Sequence, residues 1–172
     1  MTNDKFFDSI DDNAGTAHIP KLSAIYQEVI LDHNRNPRNF VTEPSKDFTS
    51  FARGVNPLCG DHFNVYVANL DGTIRRVELS GEGCAISKAS GDMMASAVKG
   101  KSNKEAMDLA SHFVHLLTDN TVAMEHREGV GKLKFFESVK DFPIRVKCAT
   151  LPWRALEVAL KEDSAKKEVS TE

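Results

Sequence analysis

Three cysteines and one aspartate carry the chemistry this chain can be expected to do. Cys59 and Asp61 lie in NPLCGDH (56–62), Cys84 in GEGCAIS (81–87) and Cys148 in RVKCATLP (145–152). Asp61 is two residues before Phe63, which alternates with Val65 and Val67. In a strand, residues two apart share a face, so Cys59 and Asp61 continue a core-facing line. A thiol sits there at little cost, but a carboxylate needs a positive partner. Cys84 follows two glycines and precedes a helical pattern. A thiol at a helix start meets unpaired N–H groups that favour thiolate.

Three thiols and one inward carboxylate make a four-donor set. A tetrahedral zinc accepts such donors, and thiolates favour zinc or iron over magnesium or calcium. The cation would also neutralise Asp61. From spacing alone the alternative stays open, because a single cysteine is most often a small buried hydrophobe and C-x-D is a weak signal. The histidines do not decide it. His33 lies near a helix end, His62 faces away from Asp61, and His112, His115 and His126 are scattered on polar ground.

The elements that must position these residues follow from periodicity. PKLSAIYQEVILDHNRNPRN has helical spacing at Leu22, Ile25, Tyr26, Val29 and Ile30, and Pro37 ends it. Residues 46–55 alternate weakly. Residues 62–70 alternate clearly, Asp71-Gly72 marks a hairpin, and residues 73–81 return with Val77 and Leu79 inward. Ala85, Ala89, Met93 and Ala97 keep a helical period up to Gly100. Ser102 and Glu105 form a capping box for a helix carrying Ala106, Leu109, Ala110, Phe113 and Leu117. Residues 118–131 read as a loop and 132–139 as a short helix. The last helix opens on Pro143 and contains Cys148 and Pro152, and a kink is expected at that proline.

The order predicts an α+β fold, a small antiparallel sheet of two to three strands with helices packed on one face. One domain is expected over 20–162. A mobile extension is expected over 1–19, where Phe6, Phe7 and Ile10 are the apolar exceptions, and a charged mobile tail over 163–172.

The chain of 172 residues has a net charge of −3 and a pI near 6.1, which argues against nucleic acid as a partner. No apolar run approaches the ~18 residues of a membrane span. The N-terminus lacks the apolar stretch of a secretory signal. Three cysteines are an odd number for a disulfide framework. A cytoplasmic protein with free or metal-bound thiols is the expectation.

Four blocks in consistent order carry a family resemblance: IYQEVILDHNRNPRN, NPLCGDHFNVYV, GEGCAISKAS and RVKCATLPWRALE. Together they resemble the IscU/NifU N-terminal family of iron–sulfur cluster assembly over roughly residues 20–162, and within it the SufU branch. The scaffold branch carries a His immediately before its last cysteine and an L-P-P-V-K motif just upstream. Here Lys147 and DFPIRVK stand in those places, and extra chain around 118–138 separates Cys84 from Cys148.

The resemblance implies that Cys59, Asp61, Cys84 and Cys148 are metal ligands and that Cys59 is the catalytic sulfur acceptor. It implies a zinc-dependent sulfurtransferase that takes persulfide sulfur from a PLP-dependent cysteine desulfurase of the SufS type. The sulfur then passes to downstream cluster-assembly machinery. His62 stands where relatives often carry Arg, and Arg145, one turn before Cys148, is a candidate for partner docking. Three alternatives remain: a scaffold that builds a [2Fe–2S] cluster on the same ligands, a structural zinc domain, and a cysteine hydrolase using Cys84.

Overall fold

The computed structural model describes residues 24–121, 124–161 and 168–171. Leu22, residues 1–19 with Phe6, Phe7 and Ile10, and the side chain of His126 lie outside the described residues. Helix α1 (Ala24–Arg35) leads into strands β1 (Ser50–Asn56), β2 (Asp61–Leu70) and β3 (Thr73–Glu82). Helices α2 (Ala85–Val98), α3 (Asn103–Thr118) and α4 (Met124–Gly129) follow. A 3₁₀ helix (Gly131–Asp141), α5 (Pro143–Leu160) and β4 (Glu168–Ser170) complete the described chain.

The sheet order is β3-β2-β1-β4. The first three strands form an antiparallel meander, with Asn56 opposite Asp61 and Val65 opposite Leu79. Asp71 and Gly72 turn the β2–β3 hairpin with φ of 52° and 75°. Both central residues are at positive φ, as the tight primed turn requires, and the Asp-Gly pair is suited to it.

Four strands stand where two to three were expected. The fourth comes from 163–172, the segment expected as a mobile tail, of which Glu168–Ser170 pair in parallel with Arg53–Val55 of β1. The segment 118–131, expected as a loop, contains α4. Its sequence MEHREG carries no apolar stripe, so periodicity could not reveal it.

One face of the sheet is core. Ala52, Phe63, Val65, Val67, Val77 and Leu79 are buried on it, under α5 and α2. Two glycines set the approach of the helices. A methyl group at Gly54 would stand 3.0 Å from Leu151 Cδ1 of α5, and one at Gly91 of α2 would stand 2.8 Å from Leu79 Cδ2. Trp153 of α5 is fully buried and stacks on Phe113 of α3 at 4.7 Å between centroids. Its Nε1 donates to Ser90 Oγ of α2, which donates to the Ala149 carbonyl. Leu133, Phe136 and Val139 of the 3₁₀ helix are buried at a spacing of three, the period that helix type eclipses.

The opposite face is partly open, with Phe48 and Phe51 against Tyr66. The α5 helix begins with Pro143 and runs without interruption through Pro152. Among the described residues no helix is long and apolar enough to cross a membrane.

Candidate metal centre

The site forms where the β1–β2 turn, the N-cap of α2 and the first half of α5 meet. Cys59 lies in the four-residue turn between Asn56 and Asp61. The Asn56 carbonyl accepts from the Cys59 and Gly60 amides at 3.3 and 2.9 Å. Gly60 closes the turn at φ 74°, a conformation that favours glycine. The expected strand parity holds for Asp61, which is only 3% exposed. It stops there, because the turn lifts Cys59 out of the strand and exposes it.

Cys84 is the N-cap residue of α2, and its sulfur accepts from the Ser87 amide at 3.5 Å. The preceding glycines allow the strand to close over this point. A Cβ at Gly81, where φ is 116°, would meet the His62 carbonyl at 2.2 Å, and one at Gly83 would meet the Phe63 ring at 2.4 Å. Cys148 is fully buried on α5.

The three elements converge. One donor atom from each of Asp61, Cys84 and Cys148 lies within 4.8 Å of the others. Cys59 is not one of these three; it adjoins the cluster through Cys148 alone, with the two sulfurs 3.3 Å apart. Sulfurs bound to one tetrahedral zinc stand about 3.8 Å apart, given a Zn–S length of ~2.3 Å. The Cys59–Cys148 pair is therefore near ligand spacing.

The carboxylate gives a second test. Asp61 Oδ1 accepts the Cys84 amide at 3.1 Å, whereas the buried Oδ2 has no hydrogen-bond partner. A buried, unpartnered carboxylate oxygen is costly unless a cation meets it. The donor set and this oxygen fit a thiophilic divalent metal.

The thiols are already polarised. The Cys84 thiol is held down to about 6, first by the Cys148 thiol beside it and then by the Ser87 hydroxyl and amide, with burial and the Asp61 charge opposing. The same contact with Cys84, followed by burial, pushes Cys148 up.

The histidines stay out of the cluster among the described residues. His33 Nδ1 lies 2.6 Å from Asp92 Oδ2, a pairing role at the helix end. His62 turns back to the Gly60 carbonyl at 3.2 Å. Lys147 lines a groove with Thr150, Arg154 and Val169. Two contributors carry no chemical flag in the sequence. Ser87 is recognisable only once Cys84 is known to cap a helix, and Asn56 only once the turn is closed.

Comparison with known proteins shows the family. The NifU-like N terminal domain family matches residues 25–149. The zinc-dependent sulfurtransferase SufU of Bacillus subtilis (strain 168) is 35% identical over 145 residues, covering 83% of this chain and 93% of that protein. The iron-sulfur cluster assembly scaffold protein IscU of Streptococcus pyogenes serotype M1 is 34% identical over 148 residues, covering 85% and 89%. Among solved structures, an iron-sulfur cluster assembly scaffold protein for the SUF system (FiSufU) from Fervidobacterium islandicum AW-1 superposes with a TM-score of 0.73 at 31% identity, covering 80% of this chain and 97% of that one. The chain belongs to the NifU-like N-terminal domain family, the IscU/SufU family of iron–sulfur cluster assembly.

Proposed function

We propose that this protein is a zinc-dependent sulfurtransferase of the cytoplasm. It takes persulfide sulfur from a PLP-dependent cysteine desulfurase of the SufS type and passes it into iron–sulfur cluster assembly. The observation that carries the reading is the exposed Cys59 sulfur, 3.3 Å from buried Cys148 at the edge of a cluster containing a half-unpartnered Asp61. One ligand position faces solvent and three are held by the fold. Structural zinc sites are built of Cys and His, and the Asp61 carboxylate departs from that donor set.

Asp61, Cys84 and Cys148 anchor the metal, and Cys59 completes the set. Bound zinc supplies the positive charge that keeps the sulfurs deprotonated. The Cys59 thiolate attacks the outer sulfur of the desulfurase persulfide. A new S–S bond forms at Cys59, the S–S bond to the desulfurase cysteine breaks, and that cysteine leaves as thiolate. The exchange is redox-neutral and governed by thiolate fraction and access.

Lys147 and DFPIRVK, in place of the scaffold branch's His and L-P-P-V-K, support transfer over scaffolding. The scaffold reading keeps one observation in its favour, since three thiols and a carboxylate also suit an iron–sulfur cluster. Peptide mass spectrometry after incubation with desulfurase and cysteine tests the assignment. One added sulfur atom on the Cys59 peptide is expected. Sulfur on Cys84 or Cys148 alone, or on none, overturns it.

A further inference from the structure

The asparagine below the cysteine-bearing turn is bonded on both sides of its side-chain amide. Asn56 is the last residue of β1, opposite Asp61, and is only 1% exposed. Its Oδ1 accepts the Leu58 amide at 3.2 Å. This bond to the residue two ahead is an Asx turn, and it fixes which end of the amide is oxygen. The NH₂ end is therefore held toward the core, where it donates to Cys148 Sγ at 3.7 Å. The Asn56 carbonyl meanwhile accepts the Cys59 and Gly60 amides. One buried residue thus grips the sulfur of one candidate ligand and the backbone of another.

We propose that Asn56 is a positioning residue of the metal centre. Its amide N–H stabilises negative charge on the Cys148 sulfur, and its oxygen and carbonyl set the turn that presents Cys59. An N–H donor to sulfur favours the deprotonated, metal-bound form, and partners one shell out tune both affinity and ligand electronics. The inference rests on the metal-site reading above, but not on sulfur transfer.

Asn56→Asp separates the two roles. The variant keeps an oxygen for the Leu58 amide and all backbone bonds of the turn, but sets an oxygen where the donor faced Cys148. Asn56→Ala removes both side-chain bonds. Zinc affinity, measured by competition with a chromogenic chelator, is expected to fall about 10–100-fold in Asn56→Asp and at least as far in Asn56→Ala. With cobalt(II) in place of zinc, the sulfur-to-metal charge-transfer band of Asn56→Asp is expected to move to lower energy. A residue that only shapes the turn would not move that band.

Wild-type affinity, or tighter binding, in Asn56→Asp with an unshifted band overturns the proposal, as does a wild-type chain that holds neither metal. A wild-type chain that holds zinc yet transfers no sulfur overturns the transferase reading and leaves Asn56 to be judged on the affinity and band shift.

Discussion

Asp61 and Cys84 are joined by a single hydrogen bond, from the Cys84 amide to Asp61 Oδ1 at 3.1 Å, while the other carboxylate oxygen is buried without a partner. The bond ties the start of β2 to the start of α2, where Asp61 adjoins the thiols of Cys84 and Cys148. Asp61→Asn keeps an acceptor for the amide and removes the charge. Zinc affinity in a chelator competition should fall by about 10-fold or more, because a direct donor is lost where even outer partners cost that much. The metal-free variant should melt no lower than the metal-free parent, since it no longer buries an unpaired charge. Unchanged affinity would contradict the ligand role.

Metal removal should lower stability. A ligand that binds only the folded state adds about 4 kcal/mol when present at a thousand times its Kd. For a chain of this size that corresponds to a midpoint shift on the order of 10 °C. Calorimetry of the zinc-loaded protein before and after chelation measures it. An unmoved midpoint would contradict coupling of metal to fold.

The pH dependence of the metal-free protein has a definite sign. Cys84 is depressed to about 6 from an ordinary thiol value of 9.0. Between those values the unfolded chain holds a proton that the folded chain has released, so stability rises with pH. The contribution is complete above the unfolded value and is lost as pH falls through about 6. Cys148, pushed up, acts oppositely, and only above the ordinary thiol range. Denaturant midpoints should therefore climb from pH 6 toward 9, with a shallower climb in Cys84→Ser. Equal slopes in the two proteins would contradict the assignment.

Asp92 should be the costliest polar residue to remove away from the site. Its side chain is fully buried, and its Oδ1 accepts the Arg38 and Asn39 amides at 2.8 and 2.7 Å. His33 meets the other oxygen. These bonds hold the loop whose Asn39 carbonyl and Val41 amide pair with Leu79 of β3. Asp92→Ala should lose about 3–5 kcal/mol by urea denaturation, the scale of a broken buried charge pair. A loss under about 1 kcal/mol, the scale of a surface ion pair, would contradict this account.

Local patterns in the sequence located most of the frame and the elements that bring the candidate residues together. Parity placed Asp61 inward because its neighbours Phe63, Val65 and Val67 alternate strictly. Cys84 was legible as a helix start because two glycines and an apolar period bracket it. The Ser102–Glu105 capping box is present as its spacing implied. Cys59 broke the parity rule because Gly60 turns the chain before the strand begins. Strand β4 was not legible, since a three-residue edge strand rests on backbone bonds to β1 and needs no apolar pattern. Asn56 was silent for a similar reason. Its role depends on a partner 92 residues away, which no local period can report.

The most direct test of sulfur transfer is kinetic. Zinc-loaded protein is mixed with a SufS-type desulfurase, cysteine and a reductant, with iron excluded, and alanine and sulfide are followed against desulfurase alone. The account predicts a large rise in turnover that requires zinc and disappears in Cys59→Ala. No rise, with coloured cluster appearing on the wild-type chain once iron is supplied, would contradict it and support a scaffold instead.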